Sequence, residues 1–269
     1  MKPAPLRFVK NEANSSNTLK FQETTLKTKI VIPTFNEAEN IEKLIPLVLG
    51  LALPEAGVLI VDDNSPDGTG DMVEAMKAQY PGRIDCLHRQ GKMGLGTAYI
   101  TGFHWCIAEG YDFIGQMDAD FSHPPEKLVE FYQSMNGYDA VFGSRYIPGG
   151  RLDDRWPIWR KTLSTFGNIY ARTILGLPIK DITGGFKLWK KETLAGMPLS
   201  EIKSNGYIFQ VEMAYAATKL GYKVKEVPFY FADRRWGKSK MSIRIQMEAA
   251  IRVWQLLWMY RKMKPTDRK

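Results

Sequence analysis

The stretch that decides the fold is Val58-Leu59-Ile60-Val61-Asp62-Asp63-Asn64-Ser65-Pro66-Asp67-Gly68. Its apolar first part predicts a strand that is buried on both faces, and its polar second part predicts the loop that ends this strand. Residues 69–80 then have the apolar spacing of a helix. A buried strand that runs through a polar loop into a helix is typical of a βαβ unit in a parallel sheet.

The same alternation continues on both sides of this stretch. The apolar runs that predict further strands are 29–33, 84–88, 113–117, 140–143, 187–189 and 223–231. The segments that predict further helices are 37–49, 94–109, 125–135, 156–177, 206–220 and 242 to about 262. This order favours an α/β fold with right-handed crossovers and a mostly parallel central sheet. No internal repeat or linker interrupts it, so we expect a flexible N-terminal tail over 1–28, one domain over 29–240, and a basic, amphipathic C-terminal helix and tail over 241–269.

The charge balance favours an anionic partner. The chain has 269 residues, with 37 basic and 29 acidic ones, for a formal net charge of +8. Nucleotides, lipid phosphates, anionic membranes and nucleic acids are all partners of this kind. A basic nucleic-acid-binding module is therefore one alternative, but no recognition motif accompanies the charge, and we expect no nucleic-acid partner.

Cysteine usage and hydropathy favour a cytoplasmic protein. Cys86 and Cys106 lie in apolar surroundings without metal-ligand spacing, so we expect reduced thiols. Residues 1–29 lack the apolar core of a secretory signal, and no apolar run near the N-terminus is long enough to span a bilayer. We therefore expect a chain that is not integral to a membrane, although it can still lie on one.

Polar clusters follow three of the predicted strands directly, at 34–37, 62–68 and 118–123. Ligands bind at the carboxyl ends of parallel strands, so we expect these loops to meet in one cleft. Asp118 and Asp120 point to the same side of a strand end, where paired carboxylates suit a hard divalent cation such as Mg²⁺ or Mn²⁺. Ser122 continues this spacing and can add an oxygen ligand. The alternative is a pair of aspartates that form a turn or cap a helix. His123 can also be a ligand, but a hard, oxygen-rich site argues against it and favours a packed loop residue.

The other two clusters suit a nucleoside. Asp62 or Asp63 can hydrogen-bond a base or a ribose, or the loop can serve as a turn that caps the next helix. Phe35 can pack on a base, and Glu37 can accept from ring N–H groups or favour the positive end of its helix. The glycine-rich segment 91–96 can bind an anion or form a packing turn.

A basic loop at 233–240 carries Arg234, Arg235, Lys238 and Lys240. Arginine suits two-point contacts with phosphate, and lysine supplies a compact positive charge. The alternative is a run of solvated charges. Trp236 and Gly237 favour a loop that closes over a ligand.

Together these segments resemble the polyprenol-phosphate mannose synthase (dolichol-phosphate mannosyltransferase) group of the family 2 glycosyltransferases. The resemblance spans about residues 29–243 and depends on the order and spacing of several motifs. They are Pro33-Thr34-Phe35-Asn36-Glu37, the segment 61–69, Gly94-Leu95-Gly96, Asp118-Ala119-Asp120-x-Ser122-His123-Pro124-Pro125, Gly143-Ser144-Arg145-Tyr146, Asp181-x-Thr183-Gly184-Gly185-Phe186, Glu226-Val227-Pro228-Phe229, Asp233-Arg234 and Gly237-x-Ser239-Lys240.

The resemblance implies the GT-A nucleotide-sugar fold and a set of site residues. The implied nucleoside contacts are Pro33, Phe35, Glu37, Val61 and Asp63. The implied metal ligands are Asp118, Asp120 and Ser122, with Ala119 within the donor site and Mg²⁺ or Mn²⁺ as the cofactor. The implied contacts to donor diphosphate or acceptor phosphate are Arg145, Arg234 and Lys240, which with Asp120 form the catalytic set.

The implied reaction is the inverting transfer of mannose from GDP-mannose to dolichyl or polyprenyl phosphate. Its closest alternative is a UDP-glucose-dependent polyprenyl-phosphate glucosyltransferase. A phosphate monoester has a second pKa of about 6 and is largely dianionic at neutral pH, so the acceptor needs no general base. Positive charge that holds it in line is what the site must supply.

Two helices are candidates for contact with an anionic membrane. In the last helix Met247, Ile251, Trp254, Leu257 and Trp258 share a face, opposite Arg244, Glu248, Arg252 and Gln255. In the helix 156–177, Trp159, Phe166 and Tyr170 lie beside Arg160, Lys161 and Arg172. Such helices suit the headgroup region, while packing on the core is the alternative for the last one. We expect a peripheral protein at the cytoplasmic face of a membrane, or one held there by a separate membrane subunit.

Overall fold

The computed structural model describes residues 25–233 and 243–268, with the side chains of 243–248 outside this description. The predicted residues Arg234 and Lys240, and almost all of the predicted N-terminal tail, therefore lie outside the described residues. So do the side chains of Arg244, Met247 and Glu248.

The chain alternates strands and helices as the pattern predicted. The strands are β1 (Thr28–Thr34), β2 (Ala56–Asp62), β3 (Ile84–His88), β4 (Phe113–Gln116), β5 (Ala140–Ser144), β6 (Arg151–Leu152), β7 (Lys187–Lys190), β8 (Val224–Pro228) and β9 (Tyr230–Phe231). The helices are α1 (Ala38–Leu49), α2 (Thr69–Lys77), α3 (Leu95–Ala108), α4 (Lys127–Gln133), α5 (Ile158–Leu175), α6 (Lys191–Ala195), α7 (Tyr207–Lys219) and α8 (Ile243–Met259). Short 3-10 turns follow α6 and α8.

The central sheet has seven strands in the order β3-β2-β1-β4-β7-β5-β8. All neighbouring pairs are parallel except the two that β7 makes with β4 and β5. The prediction of a mostly parallel sheet in a single α/β fold is therefore confirmed. The exception, β7, follows the Gly184-Gly185 turn and enters between two strands that run the other way.

Two hydrophobic cores lie on opposite faces of this sheet. Side chains alternate along β1, so Val31 packs on one face with α3 and α7, while Ile30 and Ile32 pack on the other with α1. All three side chains are fully buried. This explains the continuous apolar run that predicted the strand, since a strand covered by helices on both faces has no polar side.

One predicted strand is wrong in its extent. The segment 223–231 forms two strands, because Phe229 leaves the ladder that β8 makes with β5. Its N–H donates to Ser144 O (3.2 Å), and its carbonyl accepts from Arg151 N (3.1 Å). The chain bends there, and β9 pairs with β6, a short strand that the sequence pattern did not reveal.

Candidate active site

The loops after β1, β2 and β4 lie at one edge of the sheet, as predicted, because these strands are parallel neighbours. The first two loops are also joined by hydrogen bonds from main-chain N–H groups to side-chain oxygens. These bonds are Asn36 N to Ser65 Oγ (3.0 Å), Glu37 N to Thr69 Oγ1 (3.1 Å) and Ala38 N to Asp67 Oδ2 (3.1 Å). The second loop thus supplies acceptors for the start of α1, and the two loops form one unit.

Asp62 and Asp63 have different roles. Asp62 Oδ1 accepts from the hydroxyls of Thr34 (2.8 Å) and Ser65 (2.6 Å), and its Oδ2 accepts from Ser65 N (2.9 Å). Asp62 is nearly inaccessible and builds the loop. From the sequence, either residue could contact the nucleoside. Because both oxygens of Asp62 already accept hydrogen bonds within the loop, Asp63 is the better candidate.

Asp63 pairs with Arg89, a residue that the sequence analysis missed. Arg89 Nε lies 2.5 Å from Asp63 Oδ1, and both side chains are more than nine-tenths buried. Arg89 Nη1 also donates to Thr97 Oγ1 (2.9 Å), and Met93 N donates to Asp63 Oδ2 (3.3 Å). The available signal was its position directly after β3, which ends at the same edge as the three loops.

The other residues predicted to contact the nucleoside differ in how deeply they are buried. Phe35 is half-buried and has Lys92 Nζ 4.6 Å from its ring centroid. Glu37 stands at the start of α1, where its Oε2 accepts from Asn40 Nδ2 (2.7 Å). Pro33 is half-buried near the end of β1. Val61 is fully buried in the core, so a nucleoside contact by this residue, which stays a prediction, would fall to its main chain.

The Asp118-Ala119-Asp120 segment is held from several sides. Tyr99 OH donates to Asp118 Oδ1 (3.0 Å), while Asp118 N donates to His123 Nδ1 (3.0 Å). Burial, and secondarily Asp118, raises the pKa of Tyr99 well above its usual value, so Tyr99 keeps its proton as a donor. Ala119 packs in the core beneath the loop.

His123 is a packed loop residue, as expected. Its ring stacks on Phe186 with centroids 4.9 Å apart, and burial lowers its pKa. The neutral ring accepts the Asp118 N–H, which fixes the direction of the loop that carries the two carboxylates.

Ser122 lies directly against Asp120. Its hydroxyl is 2.6 Å from Asp120 Oδ1, and its N–H donates to the same oxygen (3.1 Å). The structure therefore shows Ser122 orienting Asp120, while a direct bond from Ser122 to a metal stays a prediction.

The residues present fit a hard divalent cation. Asp118 and Asp120 offer carboxylate oxygens, the ligands that Mg²⁺ and Mn²⁺ prefer. Gly185 faces this position, since a Cβ there would lie 3.5 Å from Asp118 Oδ1. A side chain longer than a methyl group at Gly185 would extend into the space beside the Asp118 carboxylate.

Arg145, the predicted phosphate contact, is bound to Asp181. The pair is buried, and Arg145 Nη2 also donates to Thr183 Oγ1 (2.8 Å). Burial opposes both charges, but the ion pair outweighs it, raising the pKa of Arg145 and lowering the pKa of Asp181. The motif that begins at Asp181 therefore anchors the loop that carries Arg145. From the sequence alone, this motif was predicted only as a turn.

The predicted basic loop starts from an anchored residue. Asp233 Oδ1 accepts from Trp156 Nε1 (2.9 Å) and Arg160 Nη1 (3.2 Å), and Asp233 N donates to Asp153 Oδ2 (2.7 Å). Two residues before it, Phe231 has its ring 5.2 Å from Arg145 Cζ. The end of β9 thus lies beside Arg145, two residues before Asp233.

The glycine-rich segment forms a packing turn. Gly94 has φ +100°, and a Cβ there would lie 2.7 Å from Asn205 Oδ1. A Cβ at Gly96 would lie 2.4 Å from Ser204 O, a distance that no real Cβ tolerates. Of the two interpretations left open, close packing against the loop before α7 explains these glycines.

Helices α5 and α8 form an exposed apolar surface. They lie side by side, with Trp254 Nε1 donating to Tyr170 OH (3.0 Å) and Tyr170 OH donating to Ala250 O (3.3 Å). We call this the α5–α8 surface; its large exposed side chains are Ile158, Trp159, Phe166, Ile169, Ile251, Trp254, Trp258 and Met259. The other side of α8 packs on the core through Ala249, Val253 and Leu256, and so does Tyr260, which directly follows the helix.

One face of the last helix therefore packs on the core, while membrane contact by its exposed face stays a prediction. Within residues 25–233 and 243–268, no helix has the length and apolar character needed to cross a bilayer.

A mostly parallel sheet, covered by helices on both faces and carrying an Asp-x-Asp segment at its strand ends, defines a nucleotide-sugar-binding domain of the GT-A type. The chain belongs to glycosyl transferase family 2, whose model matches residues 29–196. It is a glycosyltransferase by this membership, as its motifs predicted.

Two relatives have names that specify a reaction. An undecaprenyl-phosphate mannosyltransferase of Micrococcus luteus is 44% identical over 231 residues, which are 85% of this chain and 93% of the relative. A polyprenol monophosphomannose synthase of Mycolicibacterium smegmatis is 42% identical over 233 residues, covering 85% and 86% of the two chains.

Solved structures share the fold at low identity. A mannosyltransferase of Pyrobaculum calidifontis in complex with GDP-Man and Mn²⁺ has a TM-score of 0.60 at 16% identity, covering 90% of this chain and 67% of that one. A glucosyl-3-phosphoglycerate synthase of Mycobacterium tuberculosis in complex with Mg²⁺ and UDP has a TM-score of 0.60 at 16% identity, covering 87% and 79%.

Proposed function

We propose that this chain transfers mannose, with inversion, from GDP-mannose to a polyprenyl phosphate. The observation that carries the proposal is the 44% and 42% identity, over 85% of the chain, to two mannosyltransferases that act on such lipids. The geometry of the site is consistent with each part of this reaction, and the parts are argued in turn below.

The nucleoside end of the donor is assigned to the two joined loops. Asp63 presents a carboxylate that Arg89 holds in place, and Phe35 supplies a half-buried ring in the same unit of two loops. Hydrogen bonds from a base or ribose to a fixed carboxylate cost little reorganisation, because the pair with Arg89 already orients it. Pro33, Glu37 and Val61 are proposed as the neighbouring contacts.

We assign the donor diphosphate to Asp118 and Asp120, together with the divalent metal ion that they would hold. Asp118 and Asp120 would hold Mg²⁺ or Mn²⁺, with Ser122 orienting Asp120. The bound cation would neutralise the negative charge that develops on the leaving diphosphate. Tyr99 donates to the Asp118 carboxylate and His123 holds the Asp118 main chain, so this carboxylate is oriented before the donor arrives.

The acceptor phosphate is assigned to Arg145, Arg234 and Lys240. Arg145 is held at the site by Asp181, and the chain segment that carries the other two begins at the anchored Asp233. Several cations around one dianion hold it in line with the anomeric carbon and offset repulsion from the diphosphate.

Asp181, the carboxylate beside Arg145, is unsuited to the role of a general base. A hydroxyl acceptor needs a carboxylate base, but the pKa of Asp181 is lowered because Arg145 outweighs the effect of burial. A carboxylate with a lowered pKa is a weak base. A phosphate dianion supplies its own charge and does not need one.

The α5–α8 surface is proposed to rest on an anionic membrane. Its exposed tryptophans are the residues that favour the interface, and Arg261 Cζ lies 4.5 Å from the Trp258 ring centroid. Lys161 and Arg172 on α5, and Lys262 and Lys264 beyond α8, add positive charge near it. We propose peripheral contact at the cytoplasmic face, where a polyprenyl chain in the bilayer can present its phosphate. A membrane-anchoring subunit on the same surface is the alternative occupant.

A donor panel tests the function. The full chain is supplied with polyprenyl phosphate in vesicles, Mg²⁺ or Mn²⁺, and one of GDP-mannose, UDP-glucose or UDP-N-acetylglucosamine, and lipid-linked sugar is counted. We expect GDP-mannose to be used at least about tenfold better than either UDP-sugar, a preference of about 1.4 kcal/mol. Preference for UDP-glucose would establish the glucosyltransferase alternative, and no transfer from any donor would overturn the proposal.

A further inference from the structure

A cluster of metal-ligating side chains lies on the edge strand β3, outside the site described above. Cys86 and His88 are two residues apart, so both side chains point to the same side of the strand. Glu74 reaches them from α2, which packs against that side. Their ligand atoms, a sulfur, a ring nitrogen and a carboxylate oxygen, all lie within 4.8 Å of one another.

The imidazole is already turned toward the other ligands. His88 Nε2 lies 3.0 Å from Glu74 Oε1. The ring passes close to Gly70, where a Cβ would lie only 2.9 Å from His88 Cε1. Because any side chain at this position of α2 would displace the ring, Gly70 preserves the approach of His88 to Glu74.

The electrostatic surroundings favour a cation at the thiol. Glu74 and Asp62 place negative charge near Cys86. These negative charges attract a divalent ion, and the positive charge of a metal bound to sulfur stabilises the thiolate. Lys77, whose Nζ lies 2.7 Å from Glu74 Oε2, is the competing cation.

We propose that Glu74, Cys86 and His88 form a second metal site, selective for a borderline-soft divalent cation such as Zn²⁺. Sulfur and imidazole ligands distinguish it from the all-oxygen pair Asp118 and Asp120, which suits Mg²⁺ or Mn²⁺. On binding, the Cys86 S–H bond breaks, a metal–sulfur bond forms, and the proton goes to solvent. Water completes the coordination, since these three side chains leave one tetrahedral position open.

The site adjoins the donor pocket through the β-ladder. His88 is the register partner of Asp62, and Arg89 N donates to Asp62 O (2.8 Å). The next side chain along, that of Arg89, is the one that holds Asp63. A metal on His88 thus sits one residue from the positioning residue of the proposed nucleoside contact.

Cobalt spectroscopy of the full chain tests the proposal. With excess Mg²⁺ present to saturate the carboxylate pair, we expect Co²⁺ to produce a sulfur-to-cobalt charge-transfer band and tetrahedral visible bands, which Zn²⁺ then abolishes. Cys86→Ser should lose the charge-transfer band, and His88→Gln should weaken Co²⁺ binding at least about tenfold. Cys106→Ser, at the buried second thiol, is the matched control and should keep the band. Lys77→Ala should tighten binding, because it removes the competing cation.

A second readout does not depend on colour. Zn²⁺ should slow alkylation of Cys86 at least about tenfold, as mapped on the peptide, and Glu74→Gln should remove this protection. A wild-type chain that shows neither the charge-transfer band nor protection would overturn the proposal. So would a band that persists in Cys86→Ser or that disappears in a folded Cys106→Ser chain.

Discussion

Asp181 holds Arg145 by both carboxylate oxygens, with Arg145 Nε 2.7 Å from Oδ2 and Nη2 2.8 Å from Oδ1. The same carboxylate accepts the main-chain N–H groups of Arg145 (2.9 Å) and Gly184 (3.1 Å). One buried side chain therefore fixes the guanidinium and both loops around it. Arg145 can present positive charge to a phosphate only while this anchor is intact.

Replacing Asp181 should lower the stability of the protein. Asp181→Asn keeps the size of the side chain but leaves the buried Arg145 charge without a counter-charge. We expect the free energy of unfolding to fall by about 3–5 kcal/mol. Urea denaturation measures it, and Asp154→Asn, at a side chain that is 78% exposed, is the control. Equal stability of the two variants would mean that the pair is not the anchor.

The pair between Arg89 and Asp63 should appear in donor binding. Arg89→Lys retains the positive charge, but a lysine cannot reach both Asp63 and Thr97. The Asp63 carboxylate therefore loses its fixed orientation. We expect KM for GDP-mannose to rise about tenfold with a smaller change in kcat, because nucleoside contacts are equal in the ground and transition states. Steady-state kinetics at varied donor concentration measures both values.

Arg155→Lys is the matched control for this change. Arg155 also pairs with an aspartate, Asp153, but its side chain is 74% exposed. We expect no change in KM there. An unchanged KM in Arg89→Lys as well would remove Arg89 from the donor site.

Lys187 should make stability depend on pH in a specific direction. It is fully buried beside Gln210, and burial lowers its pKa from 10.5 to about 7. Between these values the unfolded chain binds more protons, so this group makes the free energy of unfolding rise with pH, by at most about 1.4 kcal/mol per pH unit. Below pH 7 both states are protonated and its contribution is constant.

Chemical denaturation of wild type and Lys187→Met across this pH range checks the sign. The wild-type stability minus that of the variant should increase from pH 7 upward. Lys223→Met, at an exposed lysine, is the control: its free energy of unfolding should change with pH as that of the wild type does. A difference that stays flat or falls with rising pH would contradict a neutral Lys187.

The α5–α8 surface should govern binding to vesicles. Trp159 and Trp258 are 67% and 65% exposed, so Trp159→Glu and Trp258→Glu should leave the fold intact while placing charge at the interface. We expect each to weaken partition onto phosphatidylglycerol vesicles at least about tenfold, measured by flotation. Turnover of a short-chain, water-soluble prenyl phosphate should be unchanged.

Leu47→Glu controls for this test, because Leu47 is 53% exposed on α1, away from the surface in question. It should float with the vesicles like wild type. Tryptophan variants that still float would exclude this surface as the membrane contact.

Much of the parallel half of the fold could be predicted, because its signals are local. A strand buried on both faces is a continuous apolar run, as at 58–61, and the polar cluster after it marks the strand end. The direction of β7 could not be predicted in this way. It depends on the pairing of Ile114 with Trp189, which are far apart in sequence.

The candidate site likewise has features that local sequence revealed and features that depend on long-range contacts. The spacing of Asp118 and Asp120 within one motif revealed a carboxylate pair, but nothing near Arg89 in sequence indicated its partner Asp63. Arg145 likewise stood out as a cation, while its anchor Asp181 lies 36 residues away. Charge pairs between loops are set by the tertiary fold, so sequence motifs located the loops and only the structure showed how they hold one another.

The anomeric configuration of the product tests the central claim most directly. The full chain is incubated with GDP-mannose, polyprenyl phosphate and Mg²⁺ or Mn²⁺, and the lipid product is analysed by mass spectrometry and by the carbon–proton coupling at its anomeric centre. Because GDP-mannose is an α-glycoside, inversion predicts a β-linked mannosyl phosphate. Asp120→Asn should reduce the yield at least about a hundredfold. An α-linked product, mannose released to water, or no lipid-linked mannose would contradict the account.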